Sequence, residues 1–187
     1  MVNKDTNKRN RILTIIFCAI TLGIMVFIFV QSAMPDYVSD EESSYIVDIV
    51  KGIINTVSNS TIDLDLLTTI VRKMAHFTEY LVFGASLVLT IKSLAEIISV
   101  RKNKEKGLSS IDETKSIVLI MWPLLAWAFG TIYAISDELH QYFVPGRSCE
   151  VRDMCIDSAG VAVGCIICMI ILKNLNKKKI SSGIGKE

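Results

Sequence analysis

The chain has 187 residues, a net charge of +1 and 51% hydrophobic residues, with a mean hydropathy of +0.45. That is the length of one domain, and without a phosphate-cradling glycine motif or a free basic patch nothing supports a nucleotide or nucleic-acid function. The apolar residues are gathered into long blocks, as in a membrane protein, and not dispersed as in a soluble core.

After a basic start (Lys4, Lys8, Arg9, Arg11), Ile12 to Val30 is a 19-residue run without a charge. A helix of that length crosses a hydrocarbon layer of about 30 Å, which predicts a first transmembrane helix over about 11–32. The competing reading is a signal peptide, but the run exceeds the usual apolar region of about 7–15 residues. Gln31-Ser32-Ala33-Met34 is also only a loose cleavage pattern.

The next stretch, from Met34-Pro35, carries Asp36, Asp40, Glu41 and Glu42, and Ser39 with Glu42 has the spacing of a capping box. Ile46, Val47, Ile49, Val50, Ile53, Ile54 and Val57 then recur at helical period, opposite Asp48, Lys51 and Asn55. This predicts a short amphipathic helix over about 43–57, on the outer membrane surface or on the tops of the other helices. Ser58-Asn59-Ser60-Thr61 breaks it, and Asp63 and Asp65 suit the first turn of a new helix.

Two later apolar runs are short: Tyr80 to Ile91 has 12 residues and Ser158 to Leu172 has 15. At about 1.5 Å per residue they reach only roughly 18 and 22 Å, so each must borrow length to span a bilayer. Counting 20 residues back from Lys92 and Lys173 draws His76, Glu79 and Asp157 into membrane helices, predicted over about 72–94 and 153–173. Between them, Ser116 to Ser136 is an uncharged run of 21 residues that predicts a span over 116–136. A basic inner loop is expected over 96–115 and a flexible tail over 174–187.

Lysine and arginine near membrane segments stay on the cytoplasmic side. Of the 20, 15 lie before the first span, between the second and third, or after the fourth; only Lys51, Arg72, Lys73, Arg147 and Arg152 fall opposite. The expectation is an all-α polytopic protein of the plasma membrane with four transmembrane helices and both termini cytoplasmic. Cys149 and Cys155 fall on the outer side and are candidates for pairing, with free thiols expected; no cysteine spacing is of metal type.

The polar residues form stripes. Arg72, His76, Glu79 and Phe83 share one helix face, with Lys73 and Tyr80 beside it; Tyr133, Asp137 and Gln141 share another, with Glu138 on its flank. Asp153, Asp157, Gly160 and Gly164 make a third, and small residues four apart let helices approach closely in lipid. The simple reading is that Arg72, Lys73, Arg147 and Arg152 pair with Asp137, Glu138, Asp153 and Asp157 to glue the helix tops together. That suits any one pair. For the whole set a shared site in the outer third of the membrane is expected, since apolar packing would join the helices without desolvating so many ions.

Arg72-Lys73-Met74-Ala75-His76-Phe77-Thr78-Glu79-Tyr80 with Gly84, Ser136-Asp137-Glu138-Leu139-His140-Gln141, Pro145-Gly146-Arg147, Asp153, Asp157 and Gly160 together resemble the signature of VanZ-like membrane proteins. The resemblance covers most of the chain. It implies a bacterial multi-pass membrane protein, related to one accessory to glycopeptide-resistance operons that gives low-level teicoplanin resistance. It also implies a polar motif at Lys73, His76, Glu79, Asp137, Glu138, Gln141, Arg147, Asp153 and Asp157. Phe83 departs from it, standing where a smaller aliphatic residue is expected, a change of packing more than of chemistry.

The leading functional expectation is a site that binds, or chemically alters, an amphiphile of the outer leaflet, such as a lipid-linked cell-wall precursor or a lipoglycopeptide. His76, Glu79, Asp137 and Glu138 are its candidate acid and base groups. Lys73, Gln141, Arg147, Asp153 and Asp157 are its candidate ligand-binding groups, Arg147 being suited to two-point contact with a phosphate or carboxylate. The residue types leave open whether the protein is an enzyme, and no cofactor or oligomeric state is indicated. His76, Glu79, Asp137, Glu138, His140, Asp153 and Asp157 are suitable metal ligands, but no binding-motif spacing specifies one, so no metal is expected. The alternatives are a non-catalytic envelope scaffold that binds a partner and an ion-coupled transporter. The transporter is the weaker, because Leu81 to Ile91 and Val161 to Leu172 carry no polar path inward.

Overall fold

The computed structural model describes residues 4–35, 44–53, 63–106 and 112–181. They form α1 (Lys4–Ser32), α2 (44–53), α3 (Leu64–Lys106), α4 (Asp112–Gln141) and α5 (Val151–Ser181), with no strand among the described residues. Ser39 and Glu42 of the capping box, the break at Ser58 to Thr61, residues 54–57 of the amphipathic helix, 107–111 of the inner loop and 182–187 of the tail lie outside the described residues.

Among the described residues, three helices are long and apolar enough to cross a membrane: α1 over Lys8–Ser32, α3 over Leu64–Ile98 and α5 over Val151–Lys178. Their outward surfaces agree with that. Ile15 is 68% exposed, Leu22 63% and Ile170 55%, and in water a patch of such residues would be a liability. The fourth long helix, α4, contains the 116–136 run and continues through Pro123. In α2, Tyr45, Ile46, Ile49 and Ile53 are exposed and Val47 is buried.

Two boundaries differ from expectation. The loop expected from 96 does not begin there, because α3 runs unbroken for 43 residues to Lys106. Charge alone does not end a helix: 96–106 is rich in helix-forming Glu and Lys, has neither glycine nor proline, and starts with a Lys92–Glu96 ion pair one turn apart (3.6 Å). For the same reason α5 continues through Lys177 to Ser181, across most of the expected tail.

α3 is the centre of the bundle: α5 packs most extensively against it, α1 also lies on it, and α4 bridges α5 and α3. Glycines set the α3 to α5 distance. A Cβ on Gly160 would lie 2.6 Å from the Phe77 carbonyl oxygen, and one on Gly164 or Gly84 would run into the backbone of Leu81 or Val161. The glycine stripe on α5 therefore faces α3, and Asp153 and Asp157 on that stripe turn toward it as well. Hydroxyls add interhelical links: Thr21 to Thr90 (2.8 Å), Thr131 to Ser158 (2.8 Å) and the Tyr133 hydroxyl donating to the Met25 carbonyl (2.7 Å).

Candidate functional site

The site is built where four helix segments meet at one end of the bundle. Asp63 caps α3, its carboxylate accepting the Asp65 N–H (3.1 Å), and the helix so started carries Arg72 and Lys73, and His76 one turn further on, to the cavity. At the other side, α4 ends at Gln141 and Val144 to Arg147 closes a turn (Arg147 N to Val144 O, 3.1 Å). Gly146 sits there at φ 83°, which only glycine adopts freely, and it aims Arg147 back over the helix ends. Glu138 fixes the entry into α5 by accepting the Glu150 N–H (3.1 Å), just before the first residue of that helix.

These elements enclose a cavity of about 220 Å³, lined by Lys73, His76, Glu138, Gln141, Arg147, Asp153 and Asp157 together with Arg72, Thr69, Ser148, Glu150 and Arg152. Seven of the nine motif positions thus share one lining. The other two stand directly behind it: Glu79 lies 3.7 Å from the His76 Nδ1, and Asp137 accepts from the Gln141 amide (3.3 Å). Lys73 pairs with Asp153 across the α3 to α5 contact, and Arg152 pairs with Glu150 (3.0 Å). His140 is elsewhere, its ring stacked on Phe29 at 4.6 Å. Cys149 and Cys155 are free thiols.

Asp137, Glu138 and Asp157 are only 3%, 3% and 2% exposed. Burial pushes the Glu138 carboxyl above the ordinary range; the Glu150 N–H opposes the rise, and the carboxylates of Asp153, Asp137 and Glu150 add to it. Deeper along the same helices, Tyr80, Phe83 and Tyr133 form an aromatic cluster, with Phe83 and Tyr133 centroids 5.2 Å apart. Phe83, the position that departs from the motif, is fully buried there.

Sequence reasoning missed the contribution of α1. Ser32, its last residue and fully buried, donates to Asp137 (2.7 Å), and Arg147 reaches the Gln31 carbonyl (3.4 Å) while also donating to Gln141 (3.3 Å). A cation on an end carbonyl suits a helix C-terminus, where carbonyls lack helical partners. The signal was present as a polar Gln31-Ser32 pair at the end of an apolar run, read only as part of a cleavage pattern.

Chemically, the site offers cations and carboxylates to one small space, with Glu79 3.7 Å from His76 at its back. Among the described residues, no three or more His, Cys, Asp or Glu side chains are arranged to hold a metal ion. Among the described residues, the buried polar groups further along the bundle, Thr14, Thr21, Ser86, Thr90 and Ser93, are hydroxyls satisfied by one another or by carbonyls one turn back. No characterised protein and no solved structure matches the chain. The VanZ/LLP1 family does: its model covers residues 17–172, from the first apolar run through the helix that carries Asp153 and Asp157. The chain therefore belongs to the VanZ-like family, by a match over most of its length.

Proposed function

We propose that this VanZ-like protein crosses the bacterial plasma membrane four times with both termini cytoplasmic, and that its cavity binds the charged headgroup of an amphiphile in the outer leaflet. The role that follows is teicoplanin-type resistance or maintenance of the cell envelope, with a lipid-linked wall precursor or a lipoglycopeptide as the ligand. The observation that carries this reading is the cavity itself: Arg72, Lys73, His76, Glu138, Arg147 and Asp157 line one space of about 220 Å³. The loop from Tyr142 to Glu150 and the start of α3 border that space, and the positive-inside bias assigns both to the outer face. α4 supplies the fourth crossing through its uncharged run from Ser116 to Ser136.

The volume decides between a whole ligand and a part of one. Drug-sized ligands occupy roughly 300–1,000 Å³, so the cavity takes a headgroup and leaves the remainder of the molecule in lipid or water. Binding, not transport, fits the buried polar groups beyond the site, which among the described residues are hydroxyls without a charge to relay. His76 with Glu79, and Glu138, stand where they can exchange a proton with such a headgroup.

The test is teicoplanin susceptibility of a bacterial host expressing the chain and, at equal membrane levels, His76→Ala, Glu138→Ala, Arg147→Ala and Asp153→Ala. Each variant is expected to lose protection, and Cys149 in intact cells is expected to react with a membrane-impermeant maleimide. Wild-type susceptibility in all four inserted variants refutes the single-site reading.

A further inference from the structure

On α3, α4 and α5, the exposed face stays apolar past the level of the charged cavity residues. On α3, Leu66, Ile70 and Met74 are exposed one turn apart, beside the arc that carries Lys73 and His76 into the lining. On α4, Leu139 is exposed opposite the buried Asp137 and Gln141. Tyr142 and Phe143 follow, their rings edge to face at 5.4 Å, and Phe143 is 79% exposed, more than any other large hydrophobic side chain among the described residues. α5 opens with Val151, 73% exposed, two residues before Asp153. Exposed hydroxyls at this level are turned onto their own helices: Thr78 donates to the Met74 carbonyl (2.8 Å) and Ser136 to the Tyr133 carbonyl (2.7 Å). That is the arrangement a surface without water requires, since lipid offers a hydroxyl no partner.

The lengths say how far this apolar surface reaches. Leu66 stands about 9 Å outward of Arg72 along α3, and Gln141, the last residue of α4, about 8 Å beyond Ser136, where the uncharged run ends. The headgroup layer on each side of the hydrocarbon is roughly 5–8 Å thick. Apolar side chains therefore continue through the depth of that layer, as an unbroken extension of the lipid-facing surface of the spans, and end in an aromatic pair of the kind that collects at the membrane–water boundary. We propose that this apolar collar contacts the lipids of the outer leaflet and sinks the cavity to the level of their headgroups. With the cavity read as a headgroup site, on which this step rests, the headgroup it takes belongs to a molecule already seated in the leaflet, with its chains beside the collar.

The experiment uses the full chain in phosphatidylcholine vesicles, with Trp122→Phe and Trp127→Phe removing its two tryptophans and one reporter added, Phe143→Trp in one variant and Leu66→Trp in another. Both reporters are expected to emit to the blue of a tryptophan in water. Lipids brominated near the headgroup are expected to quench them more than lipids brominated near the chain end. Emission as in water, untouched by either lipid, overturns the collar; stronger quenching by the chain-end bromines places it in the hydrocarbon core and overturns the headgroup depth. In the teicoplanin assay, Phe143→Ser and Leu66→Ser, on different elements so that one inserted variant suffices, are expected to lose part of the protection at equal membrane levels. Full protection in each inserted variant, with the reporters in lipid, overturns the leaflet as the source and leaves the headgroup reading standing. A wild-type chain that gives no protection overturns the resistance role alone, and the quenching still decides the collar.

Discussion

The contact between α3 and α5 has two regions, adjacent on the same helices, that are held by different physics. From Gly160 inward it is a seam decided by shape: Gly84, Gly160 and Gly164 let backbone meet backbone, with Val161 fully buried between them. One turn further out it is decided by charge, through Lys73 with Asp153 and the buried Asp157. A seam of the first kind tolerates changes of polarity far better than added atoms. A site of the second kind tolerates isosteric replacement in volume and responds to each change of charge or donor.

The sharpest test adds atoms to the seam. In Gly164→Val the new Cβ meets the Leu81 backbone, which has no rotamer by which to yield, so the helices must part. Overpacking costs about 1–3 kcal/mol where side chains can shift, and here the upper end or more is expected. At about 2–4 °C per kcal/mol for a chain of this size, the melting temperature of the detergent-solubilised protein falls by about 6–12 °C. A variant that melts with the wild type would show that the seam is slack and that charge, not shape, joins the two helices.

A smaller effect is expected where α1 meets the charged region. Ser32→Ala removes the 2.7 Å donor to Asp137 and leaves that buried carboxylate the longer contact with Gln141 (3.3 Å). A hydrogen bond to a charged group is worth about 1.5–3 kcal/mol, so a lowered melting temperature is the expected result, with binding of an anionic probe weakened because Gln141 also holds Arg147. Unchanged melting and binding would detach α1 from the site and leave a three-helix assembly.

These two regions were unequally legible in the sequence. The seam was readable because Gly160 and Gly164 are spaced by helical period and small residues have one evident use in lipid. The convergence of Lys73, His76, Asp153 and Asp157 was readable too, since the short apolar runs forced charged turns into the membrane helices. Ser32 was not. A hydroxyl at the end of an apolar run is as ordinary as a cap or an interface residue, and its partner, Asp137, is 105 positions away. The lengths of α3 and α5 beyond the membrane were also missed, because a basic stretch reads as solvated loop by charge while its helix-forming residues continue the helix regardless. Periodicity reports which residues share a face; it is silent on which helix will lie opposite.

The finest test concerns a group whose burial acts against its charge. Glu138 is raised above the ordinary carboxylate range by burial, so the folded protein holds its proton more tightly than the unfolded chain does. Between the ordinary value and the folded one, the folded state binds more protons, and this group's contribution makes stability fall as pH rises through that interval. Below the interval the penalty is absent; above it, the penalty is complete and constant. Glu138→Gln has no charge to desolvate, and its amide carbonyl can still accept the Glu150 N–H. The difference in melting temperature, wild type minus variant, is therefore expected to decline as pH is raised through the interval between the ordinary carboxylate value and the raised one. Parallel curves would mean that Glu138 carries its charge at no cost, and the outer end would then be as indifferent to charge as the glycine seam beneath it.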